Sequence, residues 1–119
     1  MKHSLPALGK ARELEERGIT VLVGAPSIFE LYVGAMYAKK SEEERLRITA
    51  VVASLPQLPL DYDSARSAGE IFATKARTGA TIDAEDAMLA GISKVHQEPI
   101  ISRNTKHFSG IEGVAVESY

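Results

Sequence analysis

Two carboxylates, Glu30 and Asp86, lie in segments that are otherwise strongly apolar. Glu30 stands within "SIFELYVGA", and Asp86 directly precedes "AMLAGI". Two buried carboxylates that lie close together repel each other, so such a pair either takes up a proton or recruits a cation. Mg²⁺ prefers oxygen ligands and commonly joins one or two carboxylates to a phosphate. The chemistry that such a pair predicts is metal-assisted hydrolysis of a phosphodiester.

Both acids also have a purely structural interpretation. Ser27 and Glu30 match a capping box, in which the Glu side chain turns back to the Ser backbone N–H. Asp83 is suited to cap a first helical turn, and Glu85 and Asp86 lie where the helix dipole favours anions. Open parallel sheets, however, bind ligands at the carboxyl ends of their strands. Because both acids follow strand-to-helix turns or begin buried helices, we expect Glu30 and Asp86 to approach each other there.

A third polar cluster follows a short apolar strand near the end of the chain. Ser102, Arg103 and Asn104 supply a hydroxyl, a guanidinium and an amide at the carboxyl end of that strand. An Asn in this position is also typical of an ordinary turn. A place near the pocket is open to His107, but we expect it to face solvent beside Lys106.

The composition restricts the class of protein. The chain has 119 residues, 45% of them hydrophobic, which suits one compact domain over residues 1–119. Because it contains no Cys, any metal must be held by oxygen atoms or by a histidine, of which there are three. The formal net charge of −2 argues against a strongly basic nucleic-acid binder. With no membrane span and no secretory signal in the sequence, we expect a cytoplasmic protein.

Hydrophobic periodicity predicts helices that alternate with short strands. The predicted helices cover residues 4–18, 27–38, 41–55, 63–79 and 86–95, and the predicted strands cover 19–26, 99–102 and 114–119. Residues 56–61, with two prolines, are expected to form an edge strand at most. This alternation predicts an α/β fold with a mainly parallel sheet.

Local signals predict how two of these helices begin and pack. Ser41 and Glu44 form a capping box, and the buried stripe of that helix is expected at Leu46, Ala50 with Val51, and Leu55. Asp63 or Ser64 is expected to cap the next helix, which Gly79 ends.

Three separated motifs, taken in order, resemble PIN-domain proteins of the VapC toxin type. They are "ELYVGA" with Glu30, "DAMLAG" with Asp86, and the turn "SRNTKHF". The resemblance covers residues 10–119, nearly the whole chain. It implies a three-layer α/β/α fold and a Mg²⁺- or Mn²⁺-dependent endoribonuclease that acts as the toxin of a type II toxin–antitoxin pair.

The resemblance also implies roles for individual residues. Glu30 and Asp86 become metal ligands, and Asn104 joins them as a catalytic residue at the fourth acidic position of the family. Ser102 stands where relatives often have Thr, and with Arg103 and Lys106 it is a candidate for contact with RNA or for the lining of the pocket. The implied partners are an RNA substrate, a cognate antitoxin and a second copy of the chain in a homodimer.

One family feature is missing from this sequence. Family members open with a central hydrophobic strand that ends in an Asp, the first acid of their metal site, and about fifteen residues of such sequence are absent here. Either Met1 is an internal start, which we favour, or the chain is a degenerate copy. We therefore expect weak nuclease activity from these 119 residues and its rescue by sequence encoded upstream. The alternatives are a catalytically inactive PIN-like module that binds a partner and a metal-dependent phosphohydrolase.

Overall fold

A computed structural model describes residues 12–18, 22–102 and 105–118. The chain forms two compact units, Met1–Leu58 and Pro59–Tyr119. The single domain expected over residues 1–119 stays a prediction. Within the described ranges, no helix is both long enough and apolar enough to cross a bilayer.

The first unit pairs two short parallel strands and carries helices between them. Residues 12–16 are helical (α1), and Gly18, with a φ of 80°, follows that helix where the sequence predicts its end. The remaining elements are β1 (Val23–Gly24), α2 (Ala25–Tyr37), α3 (Ser41–Ala53) and β2 (Gln57–Leu58). β1 and β2 pair in parallel, with Val23 opposite Gln57. The rest of the first predicted helix, residues 4–11, and the start of the first predicted strand, residues 19–21, lie outside the described residues.

The core of the first unit lies between α2 and α3. Its four buried side chains are Leu31, Ala35, Ile48 and Val52. The stripe predicted for α3 is therefore wrong at Leu46, which is 57% exposed, and at Ala50, which is also exposed. Apolar residues follow helical spacing on two faces of α3. The buried face is the one whose β-branched side chains pack against α2. The amphipathic pattern of α3 alone does not distinguish these two faces.

α2 begins earlier than the sequence predicts. Its N-cap is Gly24, and Pro26 stands in the first turn, where the N–H that proline lacks would have no helical partner. Ser27 is consequently inside the helix, so the capping box predicted for Ser27 and Glu30 is wrong. Capping does not explain Glu30, which lies in the second turn of α2.

α3 also lacks the capping box predicted for it. The helix begins at Ser41 itself, and the Glu44 carboxylate pairs with Arg47 one turn later. Glu42 pairs with Arg45 in the same way, and the Arg45 hydrogen bond lowers the pKa of the Glu42 carboxyl. Both pairs are solvent-exposed, so they contribute little to stability.

The second unit repeats the pattern of helices with parallel strands. It contains α4 (Tyr62–Arg77), α5 (Ala84–His96), β3 (Ile100–Ile101) and β4 (Val116–Glu117), with a single 3₁₀ turn at Thr105–His107. β3 pairs in parallel with β4, Ile100 lying opposite Val116. Gly79 follows α4 in a left-handed conformation, as predicted for a helix end. Parallel pairing in both units confirms the predicted α/β class.

α4 and α5 approach each other closely at Gly91. A Cβ atom at this position would lie 2.4 Å from the Ser64 carbonyl oxygen and 2.8 Å from the Ala68 backbone nitrogen. Both of these are backbone atoms, so no side-chain rotation could relieve the overlap. The distance between the two helices therefore requires a glycine in α5.

The N-cap of α4 is Asp61, so the predicted caps Asp63 and Ser64 are wrong. The Asp61 side chain accepts the Ser64 backbone N–H at 2.9 Å. This bond is the main reason that the pKa of the Asp61 carboxyl is lowered, and the nearby His96 lowers it further. Asp61 thus satisfies one of the N–H groups that a helix start leaves without a helical partner.

The Gly91→Ala substitution is predicted to destabilise the protein by about 1–3 kcal/mol, because the new methyl group overlaps the α4 backbone. Urea unfolding followed by circular dichroism measures the loss. Gly69→Ala is the matched control: Gly69 lies within α4 with no atom near its missing Cβ, so alanine there should stabilise the helix by about 0.5–1 kcal/mol. Equal effects of the two substitutions would contradict the close approach at Gly91.

The Asp61 cap is predicted to make stability depend on pH in the acid range. A carboxyl whose pKa is lower in the folded state stabilises the protein at pH values above its unfolded pKa, about 3.9. That contribution disappears as the pH falls through the folded pKa. The thermal midpoint of the wild-type chain should exceed that of Asp61→Asn at neutral pH, and the difference should shrink in acid. A difference that grows on acidification would contradict this assignment.

Candidate functional site

Asp86 occupies the third position of α5 and is buried, with only 3% of the residue exposed. Asp83 is the N-cap residue of α5, and Glu85 shares the first turn with Asp86, as the sequence predicts. A first-turn carboxylate is stabilised by the helix dipole, but that stabilisation requires no burial. Since transferring a charge out of water is unfavourable, the dipole alone does not account for the position of Asp86.

The ring of His107 reaches this buried carboxylate. Its Nδ1 lies 3.1 Å from Oδ2 of Asp86, and the two side chains are 45% and 4% exposed. His107 does face solvent, as expected, and one edge of its ring also contacts the buried carboxylate. Sequence reasoning missed this contact because the two residues are separated by 21 positions, and the pattern around His107 contains no periodic signal.

The segment that carries His107 is held in place by its neighbours. Phe108 is only 2% exposed and packs with three other core side chains, Ile71, Ala90 and Ile100. The Phe108 N–H also donates to the carbonyl of Thr105 at 3.1 Å, which closes the 3₁₀ turn. Lys75 of α4 donates to the Ser109 carbonyl at 3.0 Å. Contacts on both sides of the turn thus fix the backbone from which His107 projects.

Ser102 lies where the sequence predicts it, directly after β3. Its N–H donates to the Glu117 carbonyl at 3.0 Å, which extends the parallel ladder by one bond, and the residue is buried. Lys106 is exposed on the 3₁₀ turn. Arg103 and Asn104 fall outside the described residues, so their predicted roles stay predictions.

Glu30 belongs to the first unit, where it is half-buried and its Oε2 atom is shielded from solvent. Asp86 belongs to the second unit. The predicted approach of Glu30 to Asp86 stays a prediction.

The donor chemistry of these residues suits a hard cation. Carboxylate oxygens are the ligands that Mg²⁺ and Mn²⁺ prefer in proteins, and a buried carboxylate such as Asp86 gains from a neighbouring positive charge. Over the described ranges, no three His, Asp or Glu side chains form a group able to hold a metal ion. The candidate ligands for a cation are therefore one carboxylate on α2, that of Glu30, and one on α5, that of Asp86.

Comparison with known proteins decides the family. The sequence profile of the PIN domain matches residues 5–113. The chain belongs to the PIN-domain family. The "tRNA(fMet)-specific endonuclease VapC" of Shigella flexneri is 27% identical over 97 residues, which cover 82% of this chain and 74% of that protein.

Solved structures named as VapBC share the fold of this chain. A structure of VapBC2 from Rickettsia felis bound to a promoter DNA fragment matches with a TM-score of 0.82 at 19% identity, covering 93% of this chain and 84% of the matched chain. DNA-bound VapBC from Salmonella typhimurium matches with a TM-score of 0.81 at 23% identity, covering 95% and 85%. These matches confirm the predicted PIN-like α/β fold. The PIN-domain profile and the relative from Shigella flexneri confirm the resemblance to VapC-type proteins.

Phe108→Ala is predicted to destabilise the protein by about 3–5 kcal/mol, because it leaves a cavity among the side chains that hold the His107 segment. The free energy of unfolding in urea measures this loss. Phe72→Ala is the matched control, since Phe72 on α4 is 46% exposed and its truncation should change stability by about 1 kcal/mol or less. Losses of similar size at the two positions would show that Phe108 does not anchor the turn.

Proposed function

We propose that this PIN-domain protein is a Mg²⁺- or Mn²⁺-dependent endoribonuclease that acts as the toxin of a type II toxin–antitoxin pair. The observation that carries the proposal is the buried Asp86 carboxylate at the start of α5. Neither capping nor the helix dipole requires its burial, and a carboxylate oxygen is the kind of ligand that a hard cation prefers. Membership of the PIN-domain family and similarity to a protein named as a tRNA endonuclease support RNA as the substrate.

In this proposal, different residues bind the cation and the RNA. By the family resemblance, Asp86 and Glu30 would each supply a carboxylate ligand to the cation, and Asn104 would be a catalytic residue. When bound, the cation supplies Lewis-acid stabilisation of the charge that develops on the phosphate oxygens. Lys106, exposed beside His107, and Arg103 attract the RNA backbone, because phosphates bind preferentially to Lys and Arg side chains. Ser102 contributes a hydroxyl at the carboxyl end of β3.

A cognate antitoxin and a second copy of the chain complete the proposal. Matched structures are named as VapBC pairs bound to DNA, which supports an antitoxin partner for this chain too. An antitoxin that covers the acidic residues would restrain the nuclease until it is released. We propose that the toxin acts as a homodimer in the cytoplasm, where its RNA substrate lies.

Asp86→Asn is predicted to abolish Mn²⁺ binding while leaving the fold intact. Asparagine keeps the shape of the side chain and an oxygen that accepts a hydrogen bond, but it removes the charge that binds the cation. Calorimetric titration of the full chain with Mn²⁺ measures the binding, and the thermal midpoint reports the fold. Incubation of total tRNA with Mn²⁺ tests cleavage by the same two proteins.

Glu85→Gln is the matched control, because Glu85 is the neighbouring acid in the first turn of α5. It should bind Mn²⁺ as the wild-type chain does. Equal Mn²⁺ affinity in the wild-type chain and in Asp86→Asn would exclude Asp86 as a ligand. A chain that binds neither Mn²⁺ nor Mg²⁺ but still binds a partner protein would favour the inactive PIN-like module instead.

A further inference from the structure

The contact between His107 and Asp86 is a hydrogen bond in one tautomer of the imidazole. An ionised carboxylate only accepts hydrogen bonds, so His107 donates to Oδ2 of Asp86 across 3.1 Å in the tautomer that carries its proton on Nδ1. Asp86 is almost fully buried, while nearly half of the His107 side chain remains in solvent. The imidazole therefore lies between the buried acid and the surface of the second unit.

Neither of the two elements needs this contact in order to form. The helix dipole already favours a first-turn acid in α5, although a hydrogen bond such as the one from His107 does stabilise a buried carboxylate. The 3₁₀ turn is anchored independently, by Phe108 in the core and by Lys75 at the Ser109 carbonyl. His107 is thus a side chain whose removal would leave its own backbone held in place.

We propose that His107 is a positioning residue that fixes the orientation in which Asp86 binds the divalent cation. This inference rests on the proposed function, since it assumes that Asp86 is a metal ligand. A carboxylate rotates about the bond between Cβ and Cγ, and a hydrogen bond to one oxygen restricts that rotation. The carboxylate is then ordered before the cation binds, so binding costs less conformational entropy and the affinity is higher.

The expected size of the effect follows from other metal sites. Side chains that hydrogen-bond to a ligating carboxylate typically change metal affinity by about 10- to 100-fold when they are removed. His107→Ala should weaken Mg²⁺ and Mn²⁺ binding by a factor in that range. Because the change also removes a hydrogen-bond donor from a buried carboxylate, the thermal midpoint should fall, although the turn itself stays anchored.

His107→Asn provides the conservative rescue. The amide nitrogen of Asn lies at the same number of bonds from Cβ as Nδ1 of His, so it can donate to Oδ2 of Asp86 in the same way. We expect this variant to retain most of the affinity that His107→Ala loses. His96→Ala is the matched control: His96 also lies beside a carboxylate, with its Nε2 3.7 Å from Oδ2 of Asp61, yet its removal should leave metal affinity unchanged.

Calorimetric titration of these variants of the 119-residue chain with Mg²⁺ and with Mn²⁺ tests the proposal. Equal losses for both cations in His107→Ala, with rescue in His107→Asn, support a positioning role. A loss confined to Mn²⁺ would overturn it, because a nitrogen ligand favours Mn²⁺ over Mg²⁺ and His107 would then bind the cation itself. Unchanged affinity for both cations in His107→Ala would also overturn it.

The two proposals fail in distinguishable ways. If the wild-type chain binds the cations and Asp86→Asn does not, the metal site stands, and only the His107 variants decide the role of His107. If the wild-type chain binds neither cation, the metal site and the role of His107 fail together. If Asp86→Asn binds as the wild-type chain does, Asp86 is not a ligand and His107 has no ligand to position.

Discussion

The close approach of α5 to α4 at Gly91 is the constraint on which the second unit depends. With backbone atoms of Ser64 and Ala68 directly opposite Gly91, neither helix can move outward or rotate without losing that packing. The α5 face that meets the core carries small side chains, Ala87 and Ala90, both buried. Asp86 lies next to this face, one residue before Ala87. The packing of α5 thus sets the depth at which this side chain lies, but packing alone does not account for a charge at that depth.

A buried charge of this kind is generally retained for function. An apolar residue at the third position of α5 would pack in the same space without desolvating a carboxylate, and it would be expected to make the unit more stable. Strained or destabilising groups that persist in a fold concentrate at functional sites, where they lower stability in exchange for activity. The neighbouring Glu85, which the helix dipole favours equally, shows that capping chemistry is available in the same turn without deep burial.

Much of this fold follows from local sequence, and the errors share a physical cause. The helical pattern, the short apolar strands and the glycine after α4 all have signals within a few residues, and these predictions agree with the structure. The buried face of α3 was predicted wrongly because its two apolar faces differ only in what α2 presents to them. The cap of α4 was missed because Asp61 lies upstream of the residues with the stronger local capping signal.

The site was only partly predictable for the same reason. Asp86 is marked by its charge before an apolar run, and Ser102 by its place after a strand. No local sequence signal identifies His107. Its contact with Asp86 forms because the adjacent Phe108 packs into a core built from α4, α5 and β3. A contact that tertiary packing creates between distant residues leaves no periodic trace in the sequence.

Binding of a divalent cation by the buried carboxylate of Asp86 can be tested by the anomalous scattering of Mn²⁺ in crystals of this chain grown with that ion. We expect a peak about 2.0–2.2 Å from a carboxylate oxygen of Asp86, the range expected when Mn²⁺ occupies a Mg²⁺ site. Mn²⁺ peaks found only at other carboxylates, with Asp86 bound to protein atoms alone, would contradict it.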